Sequence, residues 1–123
     1  MRILIVDDSK AMRMIVKRQL SQIEDLGELE TGEAASGVEG LAWIAENGAP
    51  DVVLSDWNMP EMSGIEFLRA LRGQGETVPF GFVTSESQQE MKDEATEAGA
   101  QFFVTKPFTA DTFKAVLADA IVH

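Results

Sequence analysis

The residues best suited to chemistry are carboxylates that follow apolar runs. Asp7-Asp8 comes directly after Ile3-Leu4-Ile5-Val6, and Asp56 follows Val52-Val53-Leu54-Ser55. Thr84-Ser85-Glu86 and Lys106-Pro107 stand in the same relation to two later apolar runs. If those runs are strands whose ends converge, three carboxylates meet in one pocket. Like charges that close are costly unless a cation is present or a proton is shared. A hard divalent ion answers that cost. Mg²⁺, which takes one or two carboxylates, water and a phosphate oxygen, fits best. A hydroxyl at Thr84 can donate to a phosphoryl oxygen. A lysine at position 106 can pair with an acid and then with phosphate oxygens. Each residue also has a plainer role. Asp8 and Ser9 can cap a helix, Asp7 can be a solvated loop acid, and Asp56 can be a turn residue before Trp57. Ser85 or Ser87 can cap the next helix, and Lys106 can be a surface lysine. Taken singly, the plain roles have at least even odds. Taken together at strand ends, the acids favour a shared site.

The elements that must position these residues alternate along the chain. Ile3–Val6 reads as a strand buried on both faces. Ser9 sits at a helix N-cap, and Met12, Ile15, Val16, Gln19, Leu20 and Ile23 follow at helical spacing, with Gly27 in the loop beyond. The stretch from Glu28 to Ala35 has weak β propensity and an internal Gly32, so an edge strand with irregular pairing is expected. Gly37 opens a second helix with Val38, Leu41, Ala42 and Ala45 on one face, and Gly48 and Pro50 end it. A strand at Val52–Leu54, a loop at Trp57–Met62 and a short helix from Gly64 to Arg72 follow. That helix turns Ile65, Leu68 and Leu71 inward, and Gly73 and Gly75 close it. Then come a strand over Val78–Val83, a helix from about Ser87 to Ala98 ended by Gly99, and a strand over Gln101–Val104. Pro107 and Thr109 lead into a last helix with Phe113, Val116, Leu117, Ala120 and Ile121 facing the core. Lys106-Pro107 is a candidate cis bond. Five βα units imply right-handed crossovers and a mostly parallel α/β sheet. A doubly wound sheet of order 2-1-3-4-5 and a Rossmann-like half-domain both accommodate five units. In the first, the switch point where ligands bind falls between strands 1 and 3, which carry the acids.

Composition narrows the function classes. The 123 residues suit one domain, and 45% apolar with 25% charged residues reads as globular. There is no cysteine, so disulfide and thiolate chemistry are excluded. A net charge of −11 opposes binding to nucleic acid or anionic membranes. Lys10, Arg13, Lys17 and Arg18 lie along one helix and read as surface charges kept for solubility. No apolar stretch is long enough to span a membrane and no secretory signal opens the chain, so a cytoplasmic location is expected.

The motifs Asp7-Asp8, Ser55-Asp56-Trp57-Asn58-Met59-Pro60, Gly64, Thr84-Ser85-Glu86 and Lys106-Pro107-Phe108, in this order, resemble the receiver domains of bacterial two-component response regulators. The resemblance runs from Ile3 to Val122 and is nearest to single-domain chemotaxis regulators of the CheY type. It implies a doubly wound, flavodoxin-like (βα)₅ sheet of order 2-1-3-4-5, and one domain over residues 1–123 with no effector part. It implies Asp56 as phosphoacceptor and Mg²⁺ held by Asp7, Asp8, Asp56 and the backbone carbonyl of Asn58. Lys106 would bind a phosphoryl oxygen. Thr84 and Phe103 would carry the switch to a face built from strand 4, helix 4, strand 5 and helix 5. Phe103 stands where the family usually has tyrosine, so no hydroxyl is available there. Asn58 and Glu86 occupy positions that tune hydrolysis of the acyl phosphate, and polar residues at both suggest a short-lived signal. The implied partners are a sensor histidine kinase or phosphotransfer protein upstream and a protein target downstream, such as a flagellar motor component. The implied role is a phosphoaccepting switch that catalyses only its own phosphorylation and dephosphorylation.

Other readings lead to different functions. A phosphatase with an aspartate nucleophile would want a second aspartate two positions on, where this chain has Asn58. A receiver-like module that is never phosphorylated would usually lose an acid or the lysine, and this chain keeps them all. A carrier or sink for phosphate within a relay is a third possibility. A flavin-binding protein would want a Ser-, Thr- and Gly-rich loop where Asp7-Asp8 stands.

Overall fold

The computed structural model describes residues 1–24, 27–106 and 108–121, the last four by backbone alone. Ten elements alternate: β1 Arg2–Val6, α1 Lys10–Ser21, β2 Glu30–Ala34, α2 Gly37–Asn47, β3 Val52–Ser55, α3 Gly64–Gly73, β4 Phe80–Thr84, α4 Gln89–Ala98, β5 Phe102–Thr105 and α5 Ala110–Ile121. The five strands form one parallel sheet of order β2-β1-β3-β4-β5. Of the two arrangements the βα count allowed, the doubly wound one is present.

Side-chain alternation along the strands builds two cores. Ile3, Ile5, Val52 and Leu54 face Val16 and Leu20 of α1 and Phe113 and Leu117 of α5. Leu4, Val6, Val53, Phe80 and Phe82 face Ile44 of α2, Phe67, Leu68 and Leu71 of α3 and Ala95 of α4. The chain therefore leaves β1 toward one face of the sheet and β3 toward the other. Among the described residues no helix is long and apolar enough to cross a membrane.

Several local expectations are corrected. β2 is an edge strand, but its pairing is regular. It runs in register with β1 from Arg2↔Glu30 to Val6↔Ala34. The Gly32 expected to weaken it makes room for an indole, since a Cβ there would lie 2.5 Å from the Trp43 ring. Of the apolar face expected on α2, Leu41 packs against the core and the other three positions do not. Val38, Ala42 and Ala45 are exposed, and the buried positions are Gly37, Gly40 and Ile44. The two glycines let α2 approach α3 closely, because Cβ atoms there would fall 2.9 and 2.7 Å from the Phe67 side chain. Ile15, at core spacing on α1, is also exposed. The β4 strand begins at Phe80 rather than Val78. Neither Ser85 nor Ser87 caps α4. Gln88 holds the N-cap position with no side-chain hydrogen bond, so that helix starts late. The Pro107 peptide bond and the side chains of Ala120 and Ile121 lie outside the described residues.

Caps elsewhere follow the sequence. Ser9 accepts from the Met12 N–H, and Ser63 forms a reciprocal capping box with Glu66 at the start of α3. Phe67, which the α3 reading passed over, is fully buried and meets Phe80 edge-on at 5.5 Å between ring centroids. Phe67→Ala is expected to cost about 3–5 kcal/mol, read as a lower urea midpoint with an unchanged slope.

Candidate functional site

Four strand ends, those of β1, β3, β4 and β5, and the loops after them supply the site. In a parallel sheet all C-terminal strand ends lie on one side. Here β1 and β3 are neighbours whose following helices depart to opposite faces, which opens a crevice between them. Asp7 continues β1, and its N–H donates to the Ala34 carbonyl at the end of β2. Asp56 continues β3, and its N–H donates to the Val6 carbonyl. These bonds set both acids at the rim of the crevice. Asp8 is the exposed third acid. One carboxylate oxygen from each of Asp7, Asp8 and Asp56 lies within 4.8 Å of the others.

Lys106, just past β5, reaches across to this cluster. Its ammonium donates to Asp7 Oδ2 and to Asp56 Oδ2, each at 3.3 Å. The Lys106 N–H donates to the Thr84 carbonyl, which ties the lysine's backbone to the end of β4. Asp7 is nearly fully buried, at 4% exposure, and its Oδ1 accepts the Ser9 N–H at 2.9 Å. The remaining oxygen of Asp56, Oδ1, accepts the Trp57 N–H at 2.7 Å. The loop after β3 is held close by Gly64, whose N–H donates to the Trp57 carbonyl and where a Cβ would come within 2.1 Å of the Asp56 carbonyl oxygen.

Thr84 ends β4 fully buried, with its hydroxyl accepting the Glu86 N–H at 3.3 Å. Asn58 and Glu86 approach from the two flanking loops, and the Asn58 amide donates to Glu86 Oε1 at 2.9 Å. Trp57 packs against Phe82 and Phe103, with ring centroids 4.8 and 6.3 Å away. Phe103 also carries the Lys92 ammonium 5.9 Å from its ring centroid.

The structure therefore brings Asp7, Asp8, Asp56 and Lys106 together and places Thr84 and Asn58 on the strand end and loop beside them. Phe103 joins the site only through Trp57. Arg13 was missed, because the sequence reading took it for a surface charge. Its side chain is only 14% exposed and lies against Asp7 and Glu33. An arginine one turn into the helix that follows the acids was the available signal.

A family model of the response regulator receiver domain matches residues 3–118. The chain belongs to that family. It is 43% identical over 116 residues to the chemotaxis protein CheY-3 of Vibrio cholerae, covering 93% of this chain and 86% of that one. It is 42% identical over 116 residues to the chemotaxis protein CheY of Pseudomonas aeruginosa, covering 93% and 90% of the two chains. Among solved structures, the chemotaxis response regulator CheY4 of Vibrio cholerae superposes with a TM-score of 0.82 at 37% identity, covering 97% of each chain. A receiver domain from Clostridium thermocellum superposes with a TM-score of 0.84 at 28% identity, covering 98% and 94%. The chain is thus a response-regulator receiver domain, similar over its length to chemotaxis regulators.

The electrostatics of the receiver site suit a cation. Burial raises the Asp7 carboxyl above its ordinary value of 3.8. The Ser9 N–H and the Lys106 charge pull it back, and Asp56 adds to the rise. All three acids are hard oxygen donors, and the single lysine pairs with two of them, so the donor set fits a divalent cation of the hard class. The folded chain keeps the Asp7 proton to a higher pH than the unfolded chain does. Cation-free stability should therefore fall as pH rises from about 4, where an unfolded aspartate titrates, through the raised folded value. Asp7→Asn removes that loss. In EDTA its melting temperature should exceed that of the native chain at pH 7, and the gap should close near pH 4.

Proposed function

We propose that Asp56 accepts a phosphoryl group from a phosphohistidine on a kinase or phosphotransfer protein, with Mg²⁺ bound by the acid cluster. The observation that supports this most directly is the shared ammonium of Lys106, 3.3 Å from both Asp7 and Asp56. The Asp56 carboxylate attacks phosphorus, an O–P bond forms, and the N–P bond to the donor imidazole breaks. The imidazole leaves with the bonding pair and picks up a proton. Asp8 and Asp56 would hold the metal directly, Asp7 mostly through water, and the Asn58 carbonyl would complete the protein ligands. When bound, Mg²⁺ supplies charge neutralisation between these acids and the phosphoryl oxygens. Lys106 then moves from the carboxylates to a phosphoryl oxygen.

Thr84 converts the chemistry into a signal. Its hydroxyl would turn toward the new acceptor oxygens, give up the Glu86 N–H, and let the loop before α4 shift. Phe103 lies in contact with Trp57 and Phe82 and would re-pack as the loop moves. The face formed by α4, β5 and α5 would then change its preference for a downstream protein, such as a flagellar motor component. The Asn58–Glu86 hydrogen bond bridges the two loops beside Asp56, and these polar groups suit a short-lived acyl phosphate. An apolar groove of about 350 Å³ lined by Met12, Ile15, Lys106 and Phe108 offers a surface to the donor. The protein acts as a switch that catalyses only its own phosphorylation and dephosphorylation.

Acetyl phosphate with Mg²⁺ is expected to add one phosphoryl group to the native chain by intact mass and to change Trp57 fluorescence. Asp56→Asn is expected to add none, and native chain in EDTA very little. A folded native chain that stays unmodified by acetyl phosphate and by a phosphorylated histidine donor would favour a module that works without phosphorylation.

A further inference from the structure

Arg13 does not behave as a solubility charge. Its Nη1 donates to the Asp7 backbone carbonyl at 2.5 Å, and its Nε donates to Glu33 Oε1 at 3.0 Å. One side chain thereby joins α1, the end of β1 and the edge strand β2. Lys17 lies 3.9 Å from the other Glu33 oxygen and helps fix that carboxylate. Asp7 is consequently held at four points: its N–H by the Ala34 carbonyl, its carbonyl by Arg13, Oδ1 by the Ser9 N–H and Oδ2 by Lys106. The last of these is temporary on the function proposed above, since Lys106 leaves for the phosphoryl group. The Ala34 carbonyl, the Ser9 N–H and Arg13 then remain to keep the Asp7-Asp8 turn in place, and of these Arg13 is the one side chain that grips the Asp7 carbonyl.

We propose that Arg13 is a positioning residue for the acid cluster. It fixes the Asp7-Asp8 turn in the shape that takes a divalent cation, and Glu33 on β2 orients it. The inference rests on reading Asp7, Asp8 and Asp56 as a cation site. Its sign separates it from simple electrostatics. A guanidinium beside the cluster repels a cation, so loss of its charge alone would tighten binding. Loss of a positioning contact weakens binding. Hydrogen bonds behind metal ligands typically carry 10- to 100-fold in affinity. Arg13→Gln should therefore bind Mg²⁺ roughly tenfold more weakly than the native chain, at the low end of that range because the lost charge acts in the opposite direction. Arg13→Gln combined with Glu33→Gln removes one charge of each sign and leaves the net charge unchanged. Weaker binding in this double variant cannot come from charge.

The test is a calorimetric Mg²⁺ titration of the full chain, with circular dichroism and melting in EDTA to confirm the fold. Weaker binding by both glutamine variants, with part of the affinity restored in Arg13→Lys, supports the positioning role. Unchanged or tighter binding by folded Arg13→Gln overturns it. Should the glutamine variants not fold, Arg13→Lys carries the test. It keeps the charge but cannot make both hydrogen bonds at their present geometry, so affinity equal to native overturns the role and a several-fold loss supports it. A native chain that binds no Mg²⁺ would sink the cation-site reading and this inference with it, a result distinct from native binding that Arg13 fails to affect.

Discussion

A single ammonium group shared by two carboxylates, with a third carboxylate within 4.8 Å, is the arrangement the rest of the molecule serves. It is an expensive thing to build. Asp7 is buried, and burial alone pushes its carboxyl above the ordinary range. A buried charge must be paired and hydrogen-bonded to be tolerated. The sheet order makes that possible. β1 and β3 are adjacent, so their trailing acids meet, and β5 lies two strands beyond β3 on the side away from β1, within reach of a long lysine side chain. The backbone contributes as much as the side chains. Asp7, Asp56 and Lys106 each donate a main-chain N–H to the carbonyl at a neighbouring strand end, at Ala34, Val6 and Thr84. The charged groups therefore project from a hydrogen-bonded rim and not from free loops.

The function proposed above also requires that a change at Asp56 be felt at a distance. The aromatic cluster supplies a packed route. Trp57 donates its N–H to the Asp56 carboxylate, and its ring meets both Phe82 and Phe103. Phe82 meets Phe103 at 5.9 Å and Phe80 at 5.1 Å, and Phe80 continues to Phe67 of α3. Close-packed rings transmit displacement because the interior has little free volume to absorb it. The element next to this route, α4, is loosely started. It lacks a side-chain cap at its N-terminus, while its C-terminal end is secured by Gly99 in the left-handed conformation and by Arg72, which donates to the Gly99 carbonyl at 2.8 Å. A helix fastened at one end and loose at the end nearest Thr84 is suited to respond there first.

Much of this was legible in the chain. Buried parallel strands announce themselves as continuous β-branched and aromatic runs, and Ile3–Val6 and Val52–Leu54 did so without ambiguity. The acids and the lysine were legible because each follows such a run directly. β2 was not, because its regularity comes from pairing with β1 and from the Trp43 ring lying over Gly32, neither of which leaves a trace in local propensity. The face of α2 was misread because glycine counts as absence in a hydrophobic pattern, whereas here Gly37 and Gly40 are the contact surface for Phe67. Arg13 was misread for a related reason. A long cationic side chain has the same sequence signature whether it extends into water or folds back onto a carbonyl, and only the fold decides between the two.

Charge arithmetic explains why the chain's own cations cannot complete the site. Three carboxylates against Lys106 leave a local formal charge of −2, with Arg13 already matched by Glu33. An acyl phosphate on Asp56 would exchange a carboxylate of −1 for a phosphoryl group of about −2. The cluster would then stand near −3 with the same single lysine. The switched state needs a divalent cation more than the resting state does, and a second lysine would not serve in its place. An ammonium carries half the charge and holds its oxygens at hydrogen-bond distance, not at the shorter distance of a metal–ligand bond. A second fixed lysine would also reduce the resting cluster to a formal charge of −1 and weaken its hold on the ion. On the function proposed above, leaving the resting site underneutralised would couple the two events: cation binding would favour phosphorylation, and phosphorylation would favour retention of the cation.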